Sequence, residues 1–117
     1  MASSSSLEWV EKYLNPLGIC EYFECIRTAD HVAKVKPDPE LYNQTLACLG
    51  ITADEAVAIE DSPNGSKAAA AAGTRCIVTP NEITNFLEFD KQHHKIDNLS
   101  LLEFDHVVTQ RLFCRKK

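Results

Sequence analysis

Three short polar stretches of this 117-residue chain carry side chains that could together bind a phosphate group and a metal ion. Ser3 and Ser4 precede a predicted helix, where hydroxyl groups and backbone N–H groups can both bind phosphate oxygens. Lys36, in the stretch KVKPDPE, supplies a positive point charge. Glu60 and Asp61 follow an apolar run and offer carboxylate oxygens, which are the ligands that Mg²⁺ prefers. These residue types favour phosphate chemistry assisted by magnesium.

The elements that must position these residues alternate between helices and strands. Helical spacing of apolar residues, together with capping residues and closing glycines, predicts helices at residues 7–17, 39–49, 63–73 and 82–90 and a last one within 95–112. Short apolar or branched runs predict strands at residues 22–28, 56–60 and 74–80. This alternation predicts an α/β fold with a parallel sheet and helices on both faces. In such sheets ligands bind at the carboxyl ends of the strands, where the polar stretches are predicted to lie.

The second predicted helix has clear signals at both of its ends. Asp38 can cap it, Pro39 suits its first position, and Gly50 ends it. Its buried stripe is expected to contain three leucines, at positions 41, 46 and 49.

The adjacent acids at positions 60 and 61 also have a simpler interpretation. Carboxylates near a helix N-terminus are common, so Glu60 and Asp61 could merely begin a solvated loop or cap the next helix. Ser62 and Asn64 are expected to shape this turn and cap that helix rather than contact a substrate. The position of these residues at a strand end therefore leaves both interpretations open.

Three stretches of the sequence, in their order and spacing, resemble the haloacid dehalogenase (HAD) superfamily. They are ASSSSLEWVEKYLNPLGICEYFE at residues 2–24, VKPDPELY at residues 35–42 and AIEDSPNGSKAAAAAG at residues 58–73. The resemblance covers about residues 2–80 and is greatest to the branch that contains beta-phosphoglucomutase and sugar-phosphate phosphatases. It implies a Rossmann-like, three-layer α/β/α core. Residues 1–117 would form part of that core, with the second, third and fourth motifs of the family.

The resemblance also implies a role for each site residue. Ser3 matches the hydroxyl that hydrogen-bonds the transferring phosphoryl group, although the register within the serines at positions 3–6 stays open. Lys36 matches the lysine that bridges the nucleophile and the phosphate. Asp61 matches a direct Mg²⁺ ligand, and Glu60 a second acid of the metal site, either a ligand or in the outer shell. The implied substrate is a small phosphorylated metabolite such as a sugar phosphate, with hydrolase and mutase chemistry both open.

The sequence departs from the family at the first motif, D-x-D-x-[TV], because no D-x-D occurs anywhere in it. The first Asp of that motif is the family's nucleophile, and Asp30 is a weak alternative to it. The resemblance therefore implies a core without the first-motif strand and without a cap domain. We expect the chain alone to be inactive, with a gap in its sheet that a second copy or a partner chain could fill by strand pairing. The alternatives are a non-catalytic HAD-like binding protein or one chain of a split enzyme.

Composition narrows the partners and the compartment. The net charge of −5 disfavours nucleic acid and anionic membranes as partners. No signal peptide and no apolar run of membrane-spanning length is evident. The five cysteines are odd in number and scattered, with no C-x-x-C pair, which favours reduced thiols in a cytoplasmic protein over a disulfide framework or a zinc site. The adjacent histidines His93 and His94 are expected to be exposed to solvent.

Overall fold

Three short parallel strands, which lie in the sheet in the order of the chain, three α-helices and three short 3-10 helices make up the regular structure of the described residues. The computed structural model describes residues 1–81, 84, 87–89 and 94–97. In chain order the elements are α1 (Leu7–Leu17), α2 (Glu40–Leu49), β1 (Val57–Glu60), α3 (Pro63–Ala71), β2 (Arg75–Val78) and β3 (His94–Lys95). The predicted helix at 82–90 falls largely, and the last predicted helix almost wholly, outside the described residues. The short strand β3 was not predicted.

The β1–α3–β2 unit forms the core and confirms the prediction for residues 56–80. The two strands pair in parallel, with Ala58 opposite Cys76. Small side chains let α3 pack closely on the sheet, and Ala68 and Ala69 are fully buried. The turn into β2 passes through Gly73 at φ 81°, a conformation that favours glycine. The carboxyl ends of β1 and β2 therefore lie side by side.

Helix α2 ends as predicted but begins one residue later, because Pro39 is at the N-cap position and not at the first helical position, and only one of its three leucines is fully buried. The Asp38 carboxylate accepts a hydrogen bond from Glu40 N at 3.0 Å, and Gly50 ends the helix at φ 68°. Leu41 is completely buried, a contribution of about 2 kcal/mol to stability. Leu46 is half-buried, and Leu49 is 37% exposed. Both of these leucines line a groove beside β1, which explains why the predicted stripe is covered only in part.

Helix α1 matches its prediction, whereas the strand predicted at residues 22–28 is absent from the structure. Ser6 caps α1, and Gly18 closes it at φ 65°. A short 3-10 turn, Cys20–Tyr22, follows, and the next residues form only an isolated parallel bridge between Ala2 and Arg27. A strand needs a ladder of paired residues, and here the pairing with the N-terminal segment is limited to the single bridge between Ala2 and Arg27.

A disulfide joins Cys25 to Cys48, so the prediction of reduced thiols is wrong for this pair. The two Cα atoms are 6.2 Å apart, within the usual range for a disulfide. The spacing along the sequence could not reveal the pair, because it depends on how residues 23–28 lie against α2. Among the described residues, Cys20 and Cys76 are free thiols. Cys114 lies outside the described residues.

An apolar groove of about 440 Å³ runs along the side of β1 opposite to β2. Val57 and Ile59 of β1 are 40% and 46% exposed there. Phe23 and Leu46 lie on its walls, and Ala2 borders it as well. The groove therefore lies between the first residues of the chain and the sheet. No helix among the described residues is long and apolar enough to cross a membrane.

Candidate functional site

A cleft of about 550 Å³ lies at the carboxyl end of β1. It is lined by all the residues that the sequence predicted for phosphate binding, for metal binding and for the turn after β1. Its lining includes Ser3, Ser4, Lys36, Glu60, Asp61, Ser62 and Asn64. These residues come from the N-terminal segment, the loop before α2 and the turn between β1 and α3. Residues 60 positions apart in sequence thus share one cavity, although their chemical roles remain predictions.

The structure separates the four serines into different positions. Ser6 is the N-cap of α1 and accepts a hydrogen bond from Trp9 N at 3.2 Å. Ser3, Ser4 and Ser5 line the cleft. The hydroxyl oxygen of Ser3 accepts from Ser5 N at 3.2 Å, and that of Ser4 accepts from Lys36 N at 3.3 Å. The candidate phosphate-binding hydroxyl groups are therefore those of the first three serines.

Lys36 lies at the floor of the cleft with its ammonium group already engaged. Its Nζ donates to the carbonyl oxygen of Ala2 at 2.8 Å and to Glu60 Oε1 at 2.5 Å. The same Nζ lies 5.2 Å from the centre of the Tyr42 ring, within range of a cation–π interaction. The side chain is only 11% exposed, so its charge is poorly screened by solvent. Such an ammonium group can attract an anion that enters the cleft.

Glu60 is a buried carboxylate whose two oxygens have different surroundings. One oxygen accepts hydrogen bonds from two donors, and the other lies beside the first turn of α3. Its Oε1 accepts from Lys36 Nζ and also from the Tyr42 hydroxyl. Burial, and secondarily the charge of Glu60, raise the pKa of Tyr42 well above its usual range, so the hydroxyl stays protonated as a donor. The other oxygen faces Gly65, where a Cβ atom would lie only 2.0 Å from Oε2. This position suits the outer-shell alternative for Glu60 better than direct metal ligation.

Asp61 differs from its neighbour because it is exposed to the cleft. Its Oδ2 accepts a hydrogen bond from Asn81 Nδ2 at 3.2 Å. The described residues contain no group of three or more His, Cys, Asp and Glu side chains that could hold a metal ion. A single carboxylate exposed to the cleft fits Mg²⁺ nonetheless, because this ion commonly takes one or two carboxylates and completes its shell with water and phosphate oxygens. Asp61 is the residue that would hold it.

Ser62 caps α3, as the sequence predicted. Its hydroxyl oxygen accepts a hydrogen bond from Gly65 N at 3.1 Å. Asn64, in the first turn of α3, is exposed and borders the cleft. The N-cap of this helix is Ser62, not Asn64. The turn thus fixes the direction in which Asp61 leaves the strand.

Asp30, the weak alternative nucleophile, lies elsewhere. Its Oδ2 accepts from Leu7 N at 2.6 Å at the start of α1, and from the hydroxyl group of Thr28 at 3.3 Å. The hydrogen bond from Leu7 N is the main reason why the pKa of Asp30 is lowered. Asp30 does not line the cleft and serves the start of a helix instead.

Sequence reasoning missed Tyr42 and Gly65. Tyr42 lies inside the stretch VKPDPELY and Gly65 inside EDSPNG, but glycine has no side chain, and the sequence does not distinguish a tyrosine that binds a site carboxylate from one that only packs in the core. A tyrosine on the first turn of a helix usually packs in the core, which Tyr42 also does. Its contact with Glu60 depends on how α2 lies against β1.

The fold and the cleft define a class of protein: a Rossmann-like core that carries polar residues at its strand ends. Residues 1–79 match the family described as haloacid dehalogenase-like hydrolase. The chain belongs to this family, and its fold is the α/β HAD core.

Three proteins with sequences similar to this chain illustrate its relatives. YhcW of Bacillus subtilis is 41% identical over 114 residues, which are 94% of this chain and 52% of YhcW. Hexitol phosphatase B of Escherichia coli O157:H7 is 35% identical over 103 residues, covering 87% of this chain and 46% of that protein. A crystal structure of CbbY from Rhodobacter sphaeroides with xylulose-1,5-bisphosphate superposes with a TM-score of 0.78 at 39% identity, covering 83% of this chain and 44% of CbbY. The chain therefore spans about half the length of these relatives.

Proposed function

We propose that the cleft is the phosphate- and Mg²⁺-binding part of a phosphohydrolase or phosphomutase that acts on small phosphorylated metabolites, with sugar phosphates as the substrate class. The observation that carries the proposal is the meeting of Lys36, the serine hydroxyls and Asp61 around one cavity. Hexitol phosphatase B and the sugar bisphosphate bound to CbbY support the substrate class. Nothing in the cleft distinguishes hydrolase from mutase chemistry.

Each residue has a distinct task in this proposal. Lys36 Nζ and the hydroxyl of Ser3 or Ser4 hold the phosphoryl oxygens, with the ammonium group balancing their charge. Asp61 holds Mg²⁺, and Glu60 keeps Lys36 in place from behind. When bound, Mg²⁺ would neutralise charge on the phosphoryl group and orient it. Ser62 and Asn64 shape the turn that presents Asp61.

The chain on its own is proposed to be inactive. Nucleophilic catalysis needs a carboxylate placed in line with the phosphorus atom. Glu60 and Asp61 are the acids that line the cleft, and both have other tasks in this proposal. We therefore expect no Mg²⁺-dependent hydrolysis of p-nitrophenyl phosphate by the purified chain. Measurable Mg²⁺-dependent turnover by the purified chain would contradict this proposal and would mean that another carboxylate has taken over the role of the nucleophile.

Residues 1–117 are proposed to form part of a HAD core domain, with the groove along β1 as the place where a second copy or a partner chain adds a strand. The exposed apolar residues Val57 and Ile59 support this proposal. A chain that supplies the nucleophile would make this a split enzyme, and a chain that does not would leave a binding protein. A cytoplasmic location stays a prediction, and the disulfide between Cys25 and Cys48 is evidence against it.

The proposal is tested by binding of inorganic phosphate to the 117-residue chain, measured by calorimetry with and without Mg²⁺. Lys36→Gln should weaken binding at least about tenfold, because it removes a poorly screened charge from the cleft. Asp61→Asn should remove the effect of Mg²⁺ on that binding while leaving the melting temperature unchanged. Lys34→Gln is the matched control, since it removes the same charge from an exposed position two residues away. Equal losses in Lys34→Gln and Lys36→Gln would contradict the assignment of Lys36.

A further inference from the structure

Tyr42 contacts both charged groups at the floor of the cleft. Its hydroxyl donates to Glu60 Oε1, the same oxygen that accepts from Lys36 Nζ at 2.5 Å. Its ring lies under the Lys36 ammonium group, 5.2 Å from the nitrogen. Tyr42 also packs against the core cluster that contains Ala58 and Val78. Tyr42 therefore links the packed interior to the charged pair.

The hydroxyl is needed to satisfy Glu60. That residue is 8% exposed, and a buried carboxylate is costly unless it is paired and hydrogen-bonded. Lys36 supplies the positive charge that balances the Glu60 carboxylate. Tyr42 supplies a neutral hydrogen-bond donor, which an incoming anion does not attract away from that carboxylate. When Lys36 turns toward a bound phosphate, the Tyr42 hydroxyl is the donor that remains on Oε1.

We propose that Tyr42 is a positioning residue: through the carboxylate of Glu60 it sets the place of the Lys36 ammonium group and so the affinity of the cleft for phosphate. This inference rests on the proposed function for its effect on phosphate, but the contact chain Tyr42–Glu60–Lys36 can be tested without any ligand. Without the hydroxyl, Glu60 is free to turn toward the water of the cleft and to draw the ammonium group away from Ala2.

The first test uses NMR of the side-chain signals of lysine in the ligand-free chain, with the Lys36 signal assigned from its loss in Lys36→Arg. Tyr42→Phe keeps the ring and its packing but removes the hydroxyl, and it should shift the Lys36 signal, as should Glu60→Gln. Tyr22→Phe is the matched control, since Tyr22 is 77% exposed and does not line the cleft. A Lys36 signal that is unchanged in Tyr42→Phe overturns the inference.

The second test measures the dissociation constant of inorganic phosphate in the presence of Mg²⁺, below the melting transition of each variant. Tyr42→Phe should weaken binding about tenfold, because the Lys36 ammonium group is then displaced and its charged hydrogen bond to the phosphate is weakened. In the Glu60→Gln background the same substitution should change binding by less than about twofold, because the effect passes through the carboxylate. An equal loss in both backgrounds means that the effect of the hydroxyl does not pass through Glu60 and overturns the inference. If the wild-type chain binds no phosphate, the proposed function fails, and the Lys36 signal alone decides the role of Tyr42.

Discussion

Gly65 leaves the space that the Glu60 carboxylate occupies at the start of α3. A Cβ atom there would lie 2.0 Å from Oε2 and 2.4 Å from the carboxylate carbon. A flexible side chain could normally move aside, but Glu60 is held by Lys36 and by Tyr42. The absence of a side chain at position 65 is therefore part of the site.

This arrangement predicts the sign of Gly65→Ala. Alanine in a helix is favoured over glycine by about 1 kcal/mol, so an unobstructed position would be stabilised. Here the methyl group forces Glu60 out of its charged hydrogen bonds, and we expect a net loss of about 1–3 kcal/mol in the free energy of unfolding. Urea denaturation followed by circular dichroism measures it.

The control for this prediction is the same substitution in a Glu60→Ala background. With the carboxylate removed, Gly65→Ala should stabilise the chain by up to about 1 kcal/mol, the ordinary gain in helix propensity. A destabilisation of equal size in both backgrounds would show that the clash is with some other group and not with Glu60.

Among the elements that the described residues cover, the three helices α1, α2 and α3 and the strands β1 and β2 agree with predictions from local signals. Capping residues, closing glycines and apolar spacing lie within a few residues of each helix, so α1, α2 and α3 followed from the sequence. The strands β1 and β2 followed from short buried runs between turns. The segment at residues 22–28 and the exposed Leu49 were misjudged because their state depends on which chain lies alongside, and that is tertiary information.

The features of the site can be divided in the same way, into those predicted from residue type and position and those that depend on tertiary contacts. The residues with reactive groups were recognised by type and by their place at strand ends, and they do surround one cleft. The hydrogen bond from Tyr42 to Glu60 joins α2 to β1, and no spacing along the chain encodes it. The same holds for the disulfide, whose cysteines are 23 residues apart.

The disulfide holds α2 against the segment that follows α1, and its reduction should lower stability. Closing a loop of this length contributes about 3 kcal/mol in the chain-entropy account. We expect the melting temperature of the wild-type chain to fall on treatment with dithiothreitol. The variant Cys25→Ser/Cys48→Ser should melt at the lower temperature and not respond to the reductant. Cys20→Ser, which alters a free thiol, should respond as the wild type does, and an absence of any response in the wild type would contradict the bond.

At the scale of the whole molecule, the apolar groove beside β1 should govern association. Ile59 is 46% exposed on a strand whose outer edge has no partner among the described residues. Exposed strand edges and apolar patches of this kind pair with other chains. We expect the purified chain to form dimers or larger species that increase with concentration, as measured by light scattering after size exclusion.

Ile59→Lys should shift the chain toward the monomer, because it places a charge in the groove that a second chain would have to bury. Leu17→Lys is the matched control: Leu17 is 67% exposed on α1 and does not line the groove. If both variants associate as the wild type does, the groove is not the surface of contact.

The covalent topology of the chain gives the disulfide a further consequence for the cleft. The bond between Cys25 and Cys48 closes a ring of backbone, and Lys36 lies near the middle of that ring. A protease cut between these cysteines would open the ring without releasing a fragment, so both cut ends would stay attached to the same molecule. Lys36, at the floor of the cleft, therefore lies in a segment whose two ends are joined to each other by the disulfide as well as by the backbone.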